Sequence, residues 1–430
     1  MTATWRNWAR TVHASPTRVV TPRSVDEVSD AVRRASADGL TLRAAGTGHS
    51  FTPLVATDGV LLRPEGLTGL LSVDAGRATV AAGSMLHDVN VALHGLGLAL
   101  ANMGDITVQT VAGAIATGTH GTGRDNASLS AQVAGLEVVL ADGSVVTCNR
   151  AAEPELFEAA RLGLGAVGVV TAVTFDVVPS FLLHAVEEQR MLDDVLDGFD
   201  DLAAANDHFE LYWFPHADRA LTKRNNRVGP GVAPAPLSRL RAWRDDELMS
   251  NTVFGWVCRA GRAAPRLVPA MNRVSARAWG GREYVDASFR VFAASRRVRF
   301  TEQEYAVPRA ALVPLLTELR RLVDRFQISF PVEVRVAPAD DVWLSPAYGR
   351  DTAWVAVHMF EHVRHADYFV AVEERALAVG GRPHWGKLHT RDAAWCAAEL
   401  PGFAKFTAVR DRVDPDRVFS NDHLRHVLGD

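Results

Sequence analysis

Two glycine-rich segments and a few charged residues are where this chain could do chemistry. Ala45-Gly46-Thr47-Gly48-His49-Ser50 follows a strand-like run over 40–45. Glycines let the backbone turn tightly there and aim several N–H groups in one direction, which suits a pyrophosphate. Thr117-Gly118-Thr119-His120-Gly121-Thr122-Gly123 adds a second small-residue loop with hydroxyl donors. Either loop alone is an ordinary tight turn; two in one region point to one shared anionic ligand. The dinucleotide fingerprint Gly-x-Gly-x-x-Gly is not met, because position 51 is Phe51 and Pro53 opens no clear helix. Glu333 and Arg335 stand two apart, with Phe330, Val332, Val334 and Val336 alternating around them. A strand puts the acid and the base on one face. On a surface such a pair contributes little. Beside a reacting centre, an arginine oriented by a glutamate could fix a hydroxyl or a developing alkoxide. Lysine is scarce: Lys223, Lys387 and Lys405 are three among 46 basic residues. Where arginine has replaced lysine almost everywhere, a retained lysine favours a compact ammonium or one whose pKa shifts. That draws attention to Lys387.

The elements that must position these residues fall into two textures. Residues 18–180 alternate strand and helix signals. Ser24-Val25-Asp26-Glu27 reads as a capping box, opening a helix with Val25, Val28, Ala31 and Val32 on one face and Gly39 at its end. Hairpins are expected to turn at Asp74-Ala75-Gly76-Arg77 and Ala141-Asp142-Gly143-Ser144, with a helix over 84–94 after the first. Beyond about 181 glycine thins out while Trp, Phe and Arg rise. Strand-like pieces at 209–213, 332–336 and 354–360 are separated by helical ones such as 311–326, and 228–238 is a Pro/Gly loop. The division is placed at 1–180 and 181–410, with 411–430 expected to pack back on the first part.

Composition bounds the function. At 430 residues, 48% hydrophobic and 22% charged, the chain is globular and long enough for two cores. A net charge of −4 without a basic block argues against nucleic acid. Cys148, Cys258 and Cys396 form no CxxC and are odd in number. No disulfide framework and no metal site is expected, and a reducing cytoplasm fits. The N-terminal residues lack an apolar signal core, and no run of about 18 apolar residues marks a membrane span.

Arg43-Ala44-Ala45-Gly46-Thr47-Gly48-His49-Ser50-Phe51-Thr52, followed by Thr57-Asp58-Gly59, resembles the FAD-binding loop of the vanillyl-alcohol-oxidase superfamily. The resemblance continues through Asn102-Met103-Gly104-Asp105-Ile106, the second Gly/Thr loop, Gly165-Ala166-Val167-Gly168-Val169-Val170-Thr171 and Trp213-Phe214-Pro215. It extends to Arg299-Phe300-Thr301-Glu302, Glu304-Tyr305-Ala306-Val307-Pro308, Glu333-Val334-Arg335, His384-Trp385-Gly386-Lys387 and the tail 414–421. Within that superfamily the chain is similar to the aldonolactone oxidoreductases, the L-gulono-1,4-lactone oxidases or dehydrogenases and D-arabinono-1,4-lactone oxidases, with alditol oxidase as a cousin. The fold so implied is α+β: a two-domain flavoprotein with a PCMH-type FAD-binding domain and a cap built on an antiparallel sheet.

The same resemblance implies roles. FAD would run along Ala44, Ala45, Gly46, Thr47, Gly48, His49 and Ser50, then Gly104, Asp105, Thr110 and Gly113. Thr117, Gly118, Thr119 and His120 follow, with Val169 and Val170. His49 stands where many members bond a histidine to the flavin; otherwise it only hydrogen-bonds in the loop. Glu333, Arg335 and Lys387 would be catalytic. The lysine would stabilise reduced flavin or help remove a hydroxyl proton, and both roles stay open. His358, His384 and Asp105 would face substrate, though a satisfied core histidine explains His358 equally simply. Phe360 stands where alditol oxidases carry a hydroxyl residue, which favours a flatter lactone ring. Gly104 leaves room for O2, as in an oxidase. The implied reaction is oxidation of an aldono-1,4-lactone at its C2 hydroxyl, with O2 or another acceptor taking the electrons. Alditol oxidation at C1 is the alternative, and a non-catalytic flavin-binding protein is a rival of another class.

Overall fold

The computed structural model describes residues 4–430. Its first part holds two sheets. Arg18–Val20, Val60–Leu62 and Leu42–Ala44 form a parallel sheet with Val60–Leu62 in the centre. Val145–Asn149, Val133–Val139, Val169–Asp176, Arg77–Ala81 and Leu70–Asp74 form an antiparallel one, in that order. The helix Val25–Ala37 starts where Ser24 Oγ accepts from the Glu27 N–H at 3.2 Å. The Glu27 carboxylate reaches past the cap to the Arg23 N–H at 2.7 Å, one residue further back than a strict capping box. Val28, Val32 and Ala35 of this helix pack with Leu42, Val60 and Leu62. Both expected hairpins form; the first turns through Ala75 and Gly76 at φ 48° and 78°, the left-handed pair that matches strand twist.

The second part is built on an eight-stranded antiparallel sheet. Its order is Arg282–Ala287, Leu182–Met191, Arg219–Arg227, His208–Trp213, Val332–Ala337, Thr352–Phe360, Phe300–Pro308 and Arg382–Pro383. Strand alternation gives it two unlike faces. Leu211, Trp213, Val332, Val334, Val336, Val355 and Val357 point to one side, where the helices Leu312–Leu322 and Ala366–Ala378 cover them. Each such side chain, fully buried, stabilises the fold by about 1.5–3 kcal/mol. Glu210, Glu302, Glu304, Glu333, Arg335 and His358 occupy the opposite face and are buried too. The exposed-strand reading of the Glu333–Arg335 pair is thereby excluded.

The chain then returns to the first part earlier than sequence texture suggests. Ala393–Glu399 and Phe403–Val413 already contribute Cys396, Leu400, Phe403, Phe406 and Val409 to the core against the five-stranded sheet, with Leu136, Val138 and Phe175 among its members. The sequence placed this return at 411 because helical periodicity does not say which core a helix covers. The closing tail is fastened by polar groups. The buried Arg43 guanidinium donates to the carbonyls of Leu54, Leu164, Gly165 and Phe419. Asn421 Nδ2 donates to Pro53, Leu54 and Ala56, while its Oδ1 caps the helix Asp422–Leu428 at 2.8 Å from the Leu424 N–H. These bonds brace the base of the first glycine loop.

Candidate active site

The first glycine loop leaves the strand Leu42–Ala44 and runs to the cap. The Ala45 N–H still pairs with Leu62, and the Phe51 N–H reaches Gly386 O at 2.7 Å. Between them, the backbone N–H groups of residues 46–50 have no hydrogen-bond partner among the described residues. They border a narrow cavity of about 120 Å³, lined also by Thr110, Gly113, Val169 and Val170. A Cβ on Gly46 would overlap Thr110 Oγ1, and Gly48 holds φ +75° close against the Trp5 ring. A run of unsatisfied donors in a loop that needs glycine at 46 and 48 fits an anionic cofactor segment.

The second loop divides its work. Thr117, Thr119 and His120 line a larger cavity of about 510 Å³ that shares His49, Ser50, Gln109 and Thr117 with the narrow one. Its last two residues bond the cap: Gly123 N–H donates to Val336 O at 2.8 Å, and Thr122 Oγ1 accepts from the Val336 N–H at 3.1 Å. Gly118 and Thr119 donate their N–H groups to Ile115 and Ala114. The loop thus clasps the cap sheet through Thr122 and Gly123, while the N–H groups of His120, Gly121 and Thr122 have no hydrogen-bond partner among the described residues. Ala45 and Gly118 line neither cavity; one is a buried strand end, the other a turn at φ +76°.

The cap wall of the larger cavity is charged. Arg335 is ion-paired to Glu333 and lies 3.4 Å from both Asp105 Oδ1 and Glu210 Oε2. Arg296 bonds Asp105 and stands 3.3 Å from Glu333 Oε2. Lys387 bonds Glu302, whose other oxygen is 3.5 Å from His358 Nε2. His120 Nε2 sits 3.3 Å from Glu304 Oε1, and its ring stacks on Trp354 at 3.8 Å. The segment His384-Trp385-Gly386-Lys387 is set by backbone pairing: His384 N–H donates to Glu304 O and Leu388 N–H to Glu302 O, each at 3.0 Å. Trp385 is buried and donates from Nε1 to Leu344 O at 2.7 Å.

Burial and these neighbours decide protonation. Burial opposes ionised Asp105, but Arg296 and Arg335 hold its carboxyl far below the usual carboxylate range. Burial likewise works against Glu302, and Lys387 and His358 override it. Glu304, with His120 beside it, is held down at about 2 against burial. Burial pushes the His384 imidazole down to about 3. Its Nδ1 accepts from the Gly386 N–H at 3.0 Å, so a neutral ring carries its hydrogen on Nε2. Burial, then Lys387, push the His49 imidazole down to about 4; the ring stacks on Trp8 with centroids 5.6 Å apart.

The structure brings together His49, Gly104, Asp105, Thr119, His120, Glu333, Arg335, His384 and Lys387 around one cavity. It does not bring His358 there: that ring lies behind Glu302, 2% exposed, with Nδ1 3.1 Å from Pro331 O. Phe360 packs in an apolar cluster with Phe51, Phe300 and Phe330 rather than lining the cavity. Sequence reasoning missed Arg296, Glu302, Glu304 and Glu210. The two glutamates of the strand Phe300–Pro308 stand two apart, the signal that had marked Glu333 and Arg335. Arg296 gave none, being one of several arginines in a loop. His120, Glu304 and His384 place their nitrogen and oxygen ligand atoms within 4.8 Å of one another, a grouping invisible to sequence spacing. The nearby Lys387 charge works against a cation there.

Comparison with known proteins follows the same division. Residues 16–149 match the FAD binding domain family, and residues 173–427 match the family described as D-arabinono-1,4-lactone oxidase. The chain belongs to the D-arabinono-1,4-lactone oxidase family. It is a flavin-dependent oxidoreductase, and its cofactor is FAD. It is 40% identical over 435 residues to an L-gulono-1,4-lactone dehydrogenase of Mycobacterium tuberculosis, covering 100% of both chains. It is 31% identical to the L-gulonolactone oxidase of Bos taurus, with 99% of this chain and 98% of that one covered. A Streptomyces alditol oxidase is 34% identical, with 98% of each covered. A crystal structure of cholesterol oxidase from Brevibacterium sterolicum superposes with a TM-score of 0.85 over 100% of this chain and 97% of that one. At 18% identity it shows the shared fold alone. The α+β class and the family resemblance read from the sequence both hold.

Proposed function

We propose that this family member oxidises an aldono-1,4-lactone of the L-gulono or D-arabinono type at the C2 hydroxyl. The carrying observation is the wall of paired charges, Glu333–Arg335 and Glu302–Lys387, in the larger cavity, which shares His49 and Ser50 with the narrow cavity bordered by the unsatisfied N–H groups of residues 46–50. Bound FAD supplies the two-electron oxidation. The cradle of residues 46–50, with Thr110, Gly113, Val169 and Val170, would hold it; Gly104, Thr117, Thr119 and His120 would border its reacting end. Arg335, fixed by Glu333, holds the substrate oxygen and stabilises charge that develops on it. Lys387, bonded to Glu302, serves as a fixed cation. His384 offers its Nε2 hydrogen to a substrate oxygen. Asp105 orients Arg335 and Arg296 in the cavity wall.

His49 supports a covalent tether. It is neutral at physiological pH, it borders both cavities, and neither ring nitrogen has a hydrogen-bond partner among the described residues. Acid denaturation tests this: flavin colour must stay with the pellet, and release into the supernatant refutes the bond. The division at about 180 into an FAD domain and a substrate domain, with the last residues returning to the former, belongs to the same proposal. So does a cytoplasmic setting, which three buried free thiols support. No helix among the described residues is long and apolar enough to cross a membrane.

Mixing the FAD-loaded protein anaerobically with L-gulono-1,4-lactone should bleach the flavin band. The second reading, alditol oxidation at C1, is favoured by the 34% identity to alditol oxidase; xylitol bleaching faster than any lactone would establish it. No bleaching by either leaves a flavin-binding protein. The acceptor, O2 or another, is read from oxygen uptake against dye reduction.

A further inference from the structure

Behind Arg335 a row of charges continues across the sheet, away from the cavity. Strand register places Arg282, Glu187, Lys223, Glu210 and Arg335 side by side on five neighbouring strands, so their charges alternate. Arg282 Nε lies 2.8 Å from Glu187 Oε2, and Lys223 Nζ lies 3.1 Å from Glu210 Oε1. Tyr212 adds a hydroxyl donor to Glu210 Oε2 at 3.1 Å. Of the five, Arg335 alone lines the cavity. Lys223 is one of the two lysines that the fold buries; its side chain is 11% exposed. Lys387 is the other, and Lys405 is exposed.

The charges balance locally. Asp105, Glu210 and Glu333 stand against Arg296, Arg335 and Lys223. A buried carboxylate deprived of its cation is costly, and the nearest remaining cation is drawn towards it. For Glu210 that cation is Arg335. Resting on the reading of Arg335 given above, we propose that Lys223 and Glu210 are positioning residues: Lys223 neutralises Glu210, so Glu210 orients the Arg335 Nε without pulling the guanidinium back from the cavity. Burial works against the Lys223 ammonium, and Glu210 with Glu187 more than restores it, so the cation is present throughout the working pH range.

The test is a charge-balance cycle on the FAD-loaded full chain. Lys223→Met is expected to slow the limiting rate of anaerobic flavin reduction by L-gulono-1,4-lactone about tenfold, a size typical of coupled charged pairs. Half-saturation should move much less. Glu210→Gln should slow it by a similar factor, because it leaves Lys223 unbalanced against Arg335. The double variant restores neutrality and should recover most of the rate, and Lys223→Arg, which keeps the charge, should stay near the parent. A packing role predicts additive losses and no recovery. A double variant as slow as the singles, or a Glu210→Gln of unchanged rate, overturns the proposal. If Lys223→Met does not load flavin, Glu210→Gln with Lys223→Arg still decides it. The flavin midpoint potential repeats the cycle without substrate: it should fall in Lys223→Met and return in the double variant. If the parent is bleached by neither lactone nor xylitol, the substrate reading fails, and the potentials still decide this one.

Discussion

The glycine loop and the cap wall line two cavities that share His49 and Ser50, and they are built on opposite principles. Residues 46–50 offer backbone donors that no described protein group satisfies. Their donors are main-chain groups; a side chain has no room at Gly46 and is strained at Gly48, while His49 adds its ring. In the cap wall, almost every charged side chain is answered by another: Asp105 by Arg296, Glu333 by Arg335, Glu302 by Lys387, Glu304 by His120. The first region is incomplete without a ligand. The second is complete alone and only lends its charges to what binds. Loss of a loop glycine should therefore show in cofactor content, and loss of a wall charge in rate.

The largest effect is expected where the wall touches the reaction. Arg335→Met and Lys387→Met should each slow flavin reduction by roughly 10²–10³-fold, the range for removing a preorganised charge-stabilising group. FAD content should remain near the parent. Apoprotein from either variant would break the contrast, because the wall would then be holding the cofactor.

Gly46→Ala comes next. Its Cβ would overlap Thr110 Oγ1, a side chain that also caps the helix Val111–Ala116. The variant should purify with little flavin while its cap remains folded, as judged by circular dichroism and proteolysis. Full flavin loading would mean that the loop is not the cradle.

Acid stability should sharpen the comparison. His49 and His384 have folded values of about 4 and about 3 against an ordinary 6.5, so the unfolded chain binds their protons first. Stability from these groups is intact above pH 6.5 and is lost as pH falls from there towards the folded values. Glu304, at about 2 against 4.5, contributes stability that is lost below about pH 4.5. Denaturant titrations across pH should show stability declining in both windows. Glu304→Gln should flatten the lower window and, by removing a carboxylate that favours protonated His384, steepen the upper one; His384→Gln should flatten the upper.

The smallest effect serves as the control. Arg77 and Asp176 form an ion pair at 3.0 Å with side chains 59% and 64% exposed. Arg77→Gln should change the unfolding free energy by no more than about 1 kcal/mol. A larger loss would mean that burial is not what separates the wall pairs from surface ones.

Much of the first region was legible because its signals are local. A capping serine, two hairpin turns and a glycine loop after a strand each depend on neighbours within a few residues, and the hairpins and the loop formed where they were expected. The cap was legible in part. The two-residue spacing of Glu333 and Arg335 fixed their common face, and the same spacing in Glu302 and Glu304 passed unused. His358 matched a family position and yet stands behind Glu302, because a side chain's face is set by its own strand while its access depends on what the next strand puts in front. Lysine scarcity marked Lys387 and could have marked Lys223.

By itself the sequence determined the family, the FAD chemistry, the fold class and which residues share a strand face. These follow from local conformational preference and from motifs in order along the chain. Only the tertiary structure decided which charges meet. Arg296, Glu210 and Lys223 reach the Arg335 cluster through strand register and loop placement, between segments far apart in sequence. It also decided that the second glycine loop clasps the cap sheet through Thr122 and Gly123. Pairing partners for backbone N–H groups and buried charges are supplied by whatever the fold brings near, and spacing along the chain carries no record of that.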